Sequence, residues 1–122
     1  MQETAADALK IETEVLPDKG MVIMHLAGFL DACTYGRLEA AFAEAFAKGH
    51  YRLVVDLASV EYITSAGAGI FIGVLYEAHE HNGSIVLVNP TPNVQAALDL
   101  LGLTQVLQIG NDCPAALAAR KS

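Results

Sequence analysis

The chain has 122 residues, 53% of them hydrophobic, and a formal net charge of −7 from seven basic and fourteen acidic residues. That describes one domain, large enough to bury a core without disulfide or metal staples. No cluster of lysine and arginine occurs, which argues against nucleic acid and against an anionic membrane surface and leaves proteins, basic ones above all, as natural partners.

Cys33 and Cys113 lie far apart with no CxxC or Cys/His spacing, as two reduced thiols of a cytoplasmic protein would. Met1 to Asp7 lacks the basic and apolar segments of a signal peptide. The nearly apolar stretch from Ala66 to Tyr76 is about half of a membrane span, so no membrane insertion is expected. Residues 1–8 are expected to be a disordered tail and residues 9–120 the folded domain.

Leu9 to Val15 alternates and predicts a short strand. Pro17 to Gly20 is a turn, and Met21 to Ala27 a second strand, so the two are expected to pair as a hairpin. Gly28 to Ala32 is predicted as a loop. From Thr34 to Lys48 the residues Leu38, Ala41, Phe42, Ala45 and Phe46 recur at helical spacing. Arg52 to Leu57 is a β-branched run of the kind covered on both faces of a sheet.

Ala66 to His81 is predicted as one helix, weakened intrinsically by Gly67, Gly69 and Gly73. Ile85 to Val88 is the next strand, and Pro92 to Leu101 a helix that opens with proline and stops at Gly102. Val106 to Ile109 is expected as a last strand and Cys113 to Arg120 as a short helix. Strands alternating with helices from residue 21 onward predict an α/β layer fold.

Most constellations carry no chemistry. The glycines after Ala66 fail as a dinucleotide fingerprint, because they do not follow Leu57 directly. His79 and His81 point in nearly opposite directions on a helix and cannot share a metal, while His25 and His50 are expected to be incidental. Ser65 lacks the GxSxG context of a hydrolase nucleophile, since Ile63 stands where the first glycine should be. No catalytic residue, metal or cofactor is therefore expected.

Two positions remain. Ser65 lies between a strand and a helix start, where a serine is either an N-cap or a hydroxyl whose phosphate the backbone N–H groups would favour. Asp31 is either the N-cap of the first helix or a loop carboxylate facing the Ser65 turn, and both can hold.

Gly28-Phe29-Leu30-Asp31, Leu53 to Leu57 with Val60 to Ile63, Thr64-Ser65-Ala66-Gly67, and Ile85 to Asn89 followed by Leu98 to Leu103 occur in one order. Together they resemble the STAS domain, specifically the stand-alone anti-sigma factor antagonists of bacteria, over residues 9 to 120. The resemblance implies a single domain with a mixed sheet of four or five strands and helices packed mainly on one face. It implies a cytoplasmic, non-enzymatic protein, monomeric when free, whose unphosphorylated form binds an anti-sigma factor with serine kinase activity and releases a sigma factor.

In that family a serine in the turn is phosphorylated, which ends binding, and a metal-dependent serine phosphatase resets the cycle. The phosphoacceptor position falls on Ser65. The partner-binding surface falls on Asp31, Phe29, Thr64, Ala66, Gly67 and Ala68. Two positions depart from the pattern: Thr64 replaces the usual aspartate, and Phe29 a residue that is often acidic. The alternative within the same resemblance is a STAS regulatory subunit of a membrane transport complex, binding its ATPase without serine phosphorylation.

Overall fold

The computed structural model describes residues 8–16 and 20–110. β1 (Leu9–Leu16) and β2 (Met21–Leu30) pair antiparallel, from Leu9 opposite Gly28 to Leu16 opposite Met21. There follow α1 (Tyr35–Ala47), β3 (Arg52–Ile63), α2 (Ser65–Ala68), α3 (Ile70–Glu80), β4 (Ser84–Val88) and α4 (Pro92–Leu100). A 3-10 turn at Leu103–Gln105 leads into β5 (Gln108–Gly110). The five-stranded sheet has the order β1-β2-β3-β4-β5, and β2 to β5 are parallel.

Crossovers between parallel strands are almost always right-handed. Because each new strand joins the same side of the sheet, that handedness puts α1, α3 and α4 on one face. The main core records it: Phe42 of α1, Phe71 of α3 and Leu98 of α4 close over Leu53, Val55 and Leu87 of the sheet. The mixed sheet with helices on one face is thus the expected architecture. The opposite face carries a smaller buried cluster of Met21, Ile23, Val54, Val86 and Val88. No helix among the described residues is long and apolar enough to cross a membrane.

Four expectations from the sequence need correction. The segment Gly28 to Leu30 is strand, not loop, because it stays paired with β3 as far as Leu30 opposite Ile63. β3 runs to Ile63 rather than Leu57, a 12-residue strand whose second half lacks an apolar run. Two register shifts in the β2–β3 ladder, between His25 and Ala27 and between Gly28 and Phe29, insert extra residues on β3 and break the alternation a reader relies on.

The helix predicted from Ala66 is two segments, α2 and α3, joined at Gly69, which itself stays in helical conformation. The last strand begins at Gln108, since Val106 and Leu107 finish the 3-10 turn. The remaining boundaries fall within a residue or so of the sequence pattern: Thr34 stands at the N-cap position of α1, and Gly102 adopts φ 76° after α4. All but residue 8 of the tail expected over residues 1–8, most of the turn from Pro17, and the helix from Cys113 lie outside the described residues.

Candidate functional site

The ends of two neighbouring parallel strands build the site. Both β2 and β3 terminate at one edge of the sheet, at Leu30 and Ile63, so the segments after them are adjacent. The Thr64 N–H donates to the Leu30 carbonyl at 3.0 Å, which extends the ladder by one bond beyond the strands. Thr64 is extended (φ −102°, ψ 169°) and its hydroxyl accepts from the Gly67 N–H at 3.3 Å, the N-cap geometry of α2.

Ser65 therefore occupies the first helical position, not the cap, and its side chain is exposed. Gly67 is where the turn touches its neighbour. A Cβ there would lie 2.5 Å from the Leu30 oxygen, 2.7 Å from its carbonyl carbon and 3.0 Å from the Asp31 nitrogen. Only glycine allows this backbone-to-backbone approach. It presses α2 against the end of β2 and leaves Ser65 and Ala66 facing outward.

The loop after β2 is fixed by a compact hydrogen-bond set. Asp31 Oδ1 accepts from the N–H groups of Cys33 (2.9 Å) and Thr34 (3.2 Å). The buried Thr34 hydroxyl donates to the Phe29 carbonyl at 2.8 Å and accepts from the Asp31 N–H at 3.0 Å. Asp31 is thus not the N-cap residue of α1, which is Thr34; it organises the turn that leads there. Its Oδ2 also accepts from the Tyr62 hydroxyl at 3.3 Å, which ties the loop to the end of β3.

Tyr62 completes the surface. Phe29 and Tyr62 are register partners across β2 and β3, and their rings stack with centroids 4.9 Å apart and planes 29° apart. Phe29 is half-buried and Tyr62 39% exposed, so the pair forms a partly exposed aromatic step near the ends of the two strands that precede the Asp31 loop and the serine turn. Partial desolvation, and after it the Asp31 carboxylate, raise the Tyr62 phenol above its ordinary pKa and keep it a hydrogen-bond donor.

The residues singled out in the sequence are brought together, with different exposures. Ser65 and Ala66 are exposed, and Phe29, Asp31 and Thr64 are partly covered. Ala68 is 1% exposed and belongs to the main core, so its expected place on a partner surface is corrected to a packing role. Gly67 is buried as well and shapes the surface from beneath. Tyr62 was not singled out. Its signal was its position two residues before Thr64, which is informative only once β3 is known to reach Ile63.

A second polar cluster was missed outright. His25, expected to be incidental, stands opposite Asp56 in the β2–β3 register. Its Nδ1 lies 2.7 Å from Asp56 Oδ2 and its Nε2 3.3 Å from Glu14 Oε1. The Asp56 hydrogen bond, with a smaller part from Glu14 and against partial desolvation, raises the His25 pKa above its ordinary value. His81 is the exposed C-cap residue of α3, and its ring also stacks on Tyr51 with centroids 3.9 Å apart and planes 4° apart. Among the described residues no group of His, Cys, Asp and Glu is arranged to hold a metal ion.

A small α/β domain with an exposed serine at the first helical position after its central strand, beside an ordered aspartate loop, defines a recognisable class. The family model described as Mlab, STAS domain matches residues 16–109, and the chain belongs to the STAS-domain family. Bordetella bronchiseptica BtrV, whose name describes it as a candidate anti-sigma factor antagonist, is 32% identical over 103 residues, 84% of this chain and 89% of that protein. The crystal structure of an anti-sigma factor antagonist from Mycobacterium paratuberculosis superposes with a TM-score of 0.79 at 25% identity, covering 98% of this chain and all of that one. The Bacillus cell fate determinant SpoIIAA in its phosphorylated form superposes at 0.70 with 19% identity, over 93% of this chain and 100% of that one, a likeness of fold.

Proposed function

We propose that this STAS domain is an anti-sigma factor antagonist of a bacterial partner-switching pathway. In the unphosphorylated form it binds an anti-sigma factor that is also a serine kinase, and so frees the sigma factor. Transfer of the ATP γ-phosphoryl group to Ser65 Oγ, with release of its proton and of ADP, ends binding. A metal-dependent serine phosphatase hydrolyses the ester and resets the cycle. The domain itself performs no catalysis and works in the cytoplasm.

The observation that carries the reading is the exposed Ser65 hydroxyl, held out by the contact of Gly67 with the end of β2. The neighbouring Thr64 hydroxyl is engaged as a cap. That favours Ser65 as the acceptor, even though Thr64 stands where an aspartate is usual. A phosphate adds about −1.5 to −2 charge to an exposed turn whose next residues, Ala66 and Gly67, are small and apolar, with the Asp31 loop packed against Gly67. A partner packed there would have to desolvate a dianion beside a carboxylate, which costs several kcal/mol. The named neighbours support the reading: anti-sigma factor antagonists recur among them, and SpoIIAA is described in a phosphorylated form.

The test is to incubate the protein with the anti-sigma factor kinase and ATP and map the modified residue by mass spectrometry. Phosphate on Ser65, absent in a folded Ser65→Ala variant, is the expected result. Modification of Thr64 alone would move the role by one residue. Protein recovered from its own cells with an ATPase of a transport complex, and never phosphorylated, would establish the alternative reading of a regulatory subunit.

A further inference from the structure

Beside the Ser65 turn an open trough of about 770 Å³ runs between α1 and the α2–α3 segments. Its floor is apolar and buried: Phe42, Phe46 and Val74. The edge-to-face contact of Phe42 with Phe71, with centroids 6.4 Å apart and planes 74° apart, spaces the two helices at the base. The rims differ in kind from the floor. Ala43 and Ala47 face the trough from α1, and Ala66, Gly69 and Gly73 from the other side, all exposed.

The fold does not demand these small residues. A Cβ at Gly73 would meet nothing within 4 Å, and one at Gly69 would make only ordinary contacts of 3.5 and 3.7 Å with its own turn. Each interior glycine costs a helix up to about 1 kcal/mol relative to alanine. The open space at Gly73 and the slack at Gly69 leave clearance for something approaching from outside.

The charged residues lining the trough are Glu39 on the α1 rim and Glu77 on the α3 rim, both exposed and both negative. One end of the trough reaches Ala66, next to Ser65, so it is continuous with the proposed partner surface; the other ends at Tyr51, where Phe46, Tyr51 and His81 stack. An apolar floor with small-residue walls and an acid on each rim is the complement of an amphipathic helix with lysine or arginine flanking its apolar stripe.

We infer that the α1–α3 trough, with Glu39 and Glu77 as rim charges and Gly69 and Gly73 as clearance, receives such a cationic amphipathic helix of the anti-sigma factor. This inference rests on the proposed function and enlarges the partner surface well beyond the Ser65 turn. It separates two tasks: the turn reports phosphorylation, and the trough supplies sustained affinity and partner choice.

Calorimetric titration of the anti-sigma factor kinase into wild type, Gly73→Leu and Glu39→Lys/Glu77→Lys, each at low and high salt, tests it. Filling the trough with leucine should raise Kd by about 10-fold or more, because the occupant is excluded sterically. Reversing both rim charges should raise Kd about 10-fold at low salt and flatten the salt dependence seen with wild type. Ser65 phosphorylation should show a raised KM with kcat kept. Wild-type affinity in both variants, while phosphorylated Ser65 still releases the partner, would overturn the trough and leave the proposed function standing. A wild-type dimer that Gly73→Leu dissolves would make the occupant a second copy of this chain and also overturn it. Failure of unphosphorylated wild type to bind the kinase at all would remove both readings together. The charge-reversal variant decides the matter even if Gly73→Leu does not fold.

Discussion

Replacing Gly67 by alanine tests how tightly the serine turn is set against its neighbour. The added Cβ would start 2.7 Å from the Leu30 carbonyl carbon and 2.5 Å from its oxygen, atoms of the backbone that cannot rotate away. Restoring ordinary carbon–carbon contact at about 3.5 Å requires the turn and strand end to separate by about 0.8 Å. That opening sacrifices the Thr64 N–H to Leu30 carbonyl bond, now 3.0 Å long. Overpacking costs about 1–3 kcal/mol and the lost hydrogen bond about 1, against a helix-propensity gain of up to about 1. The net is about 2 kcal/mol, a fall in Tm of about 8 °C for a domain of this size. Gly73→Ala is the matched control: with nothing within 4 Å of the new Cβ, it should raise Tm by a few degrees. Thermal melts followed by circular dichroism compare the two directly. A Gly67→Ala protein as stable as wild type, or both variants moving in the same direction, would refute the packing argument.

Other expectations follow from the same geometry. Because Asp56, and to a lesser degree Glu14, raise the His25 pKa, the protonated imidazole stabilises the fold. That contribution is fully present below the unfolded value of about 6.5 and is lost as pH rises through the higher folded value. Urea titrations should show stability falling over that window in wild type and flat in His25→Gln; an unchanged slope would discount the cluster. Phe29→Ala removes the stack with Tyr62 and should lower stability by about 1 kcal/mol while weakening kinase binding, measured by melting and calorimetry; a large stability loss with unaltered affinity would make Phe29 purely structural. Ser65→Asp should weaken the kinase complex less than phosphoserine does, with amide shifts confined to the turn and the Asp31 loop; shifts reaching α4 would mean that phosphorylation repacks the domain.

The sequence revealed those elements whose burial is periodic. Leu38, Phe42, Ala45 and Phe46 declare α1 by repeated contact with one core, and the run Leu53 to Leu57 declares the first half of β3 by burial on both sheet faces. What depends on register stayed hidden. The two shifts between β2 and β3 make Ala58 to Glu61 look like a loop, which concealed both the true end of the strand and the pairing of Phe29 with Tyr62. His25 and Asp56 are 31 residues apart and meet only through that same ladder, so no spacing rule brings them together. The serine turn was legible because strand, hydroxyl and glycines are local. Its helical setting differs from the single helix predicted from Ala66: α2 is four residues long and meets α3 at Gly69.

The order of the strands has a consequence for synthesis. Each strand lies beside its predecessor in the chain, so every edge needed for pairing has already left the ribosome when the next strand emerges. Nothing has to be threaded between strands already joined, as it must in sheets whose first strand ends up in the middle. By Ala68 the strands β2 and β3 with Phe29 and Tyr62, the loop with Asp31 and the turn with Ser65 have all been translated, while α3, β4, α4 and β5 are still to come. The surface around Ser65 is complete in sequence by residue 68 of 122, and the rest of the chain closes the core beneath it.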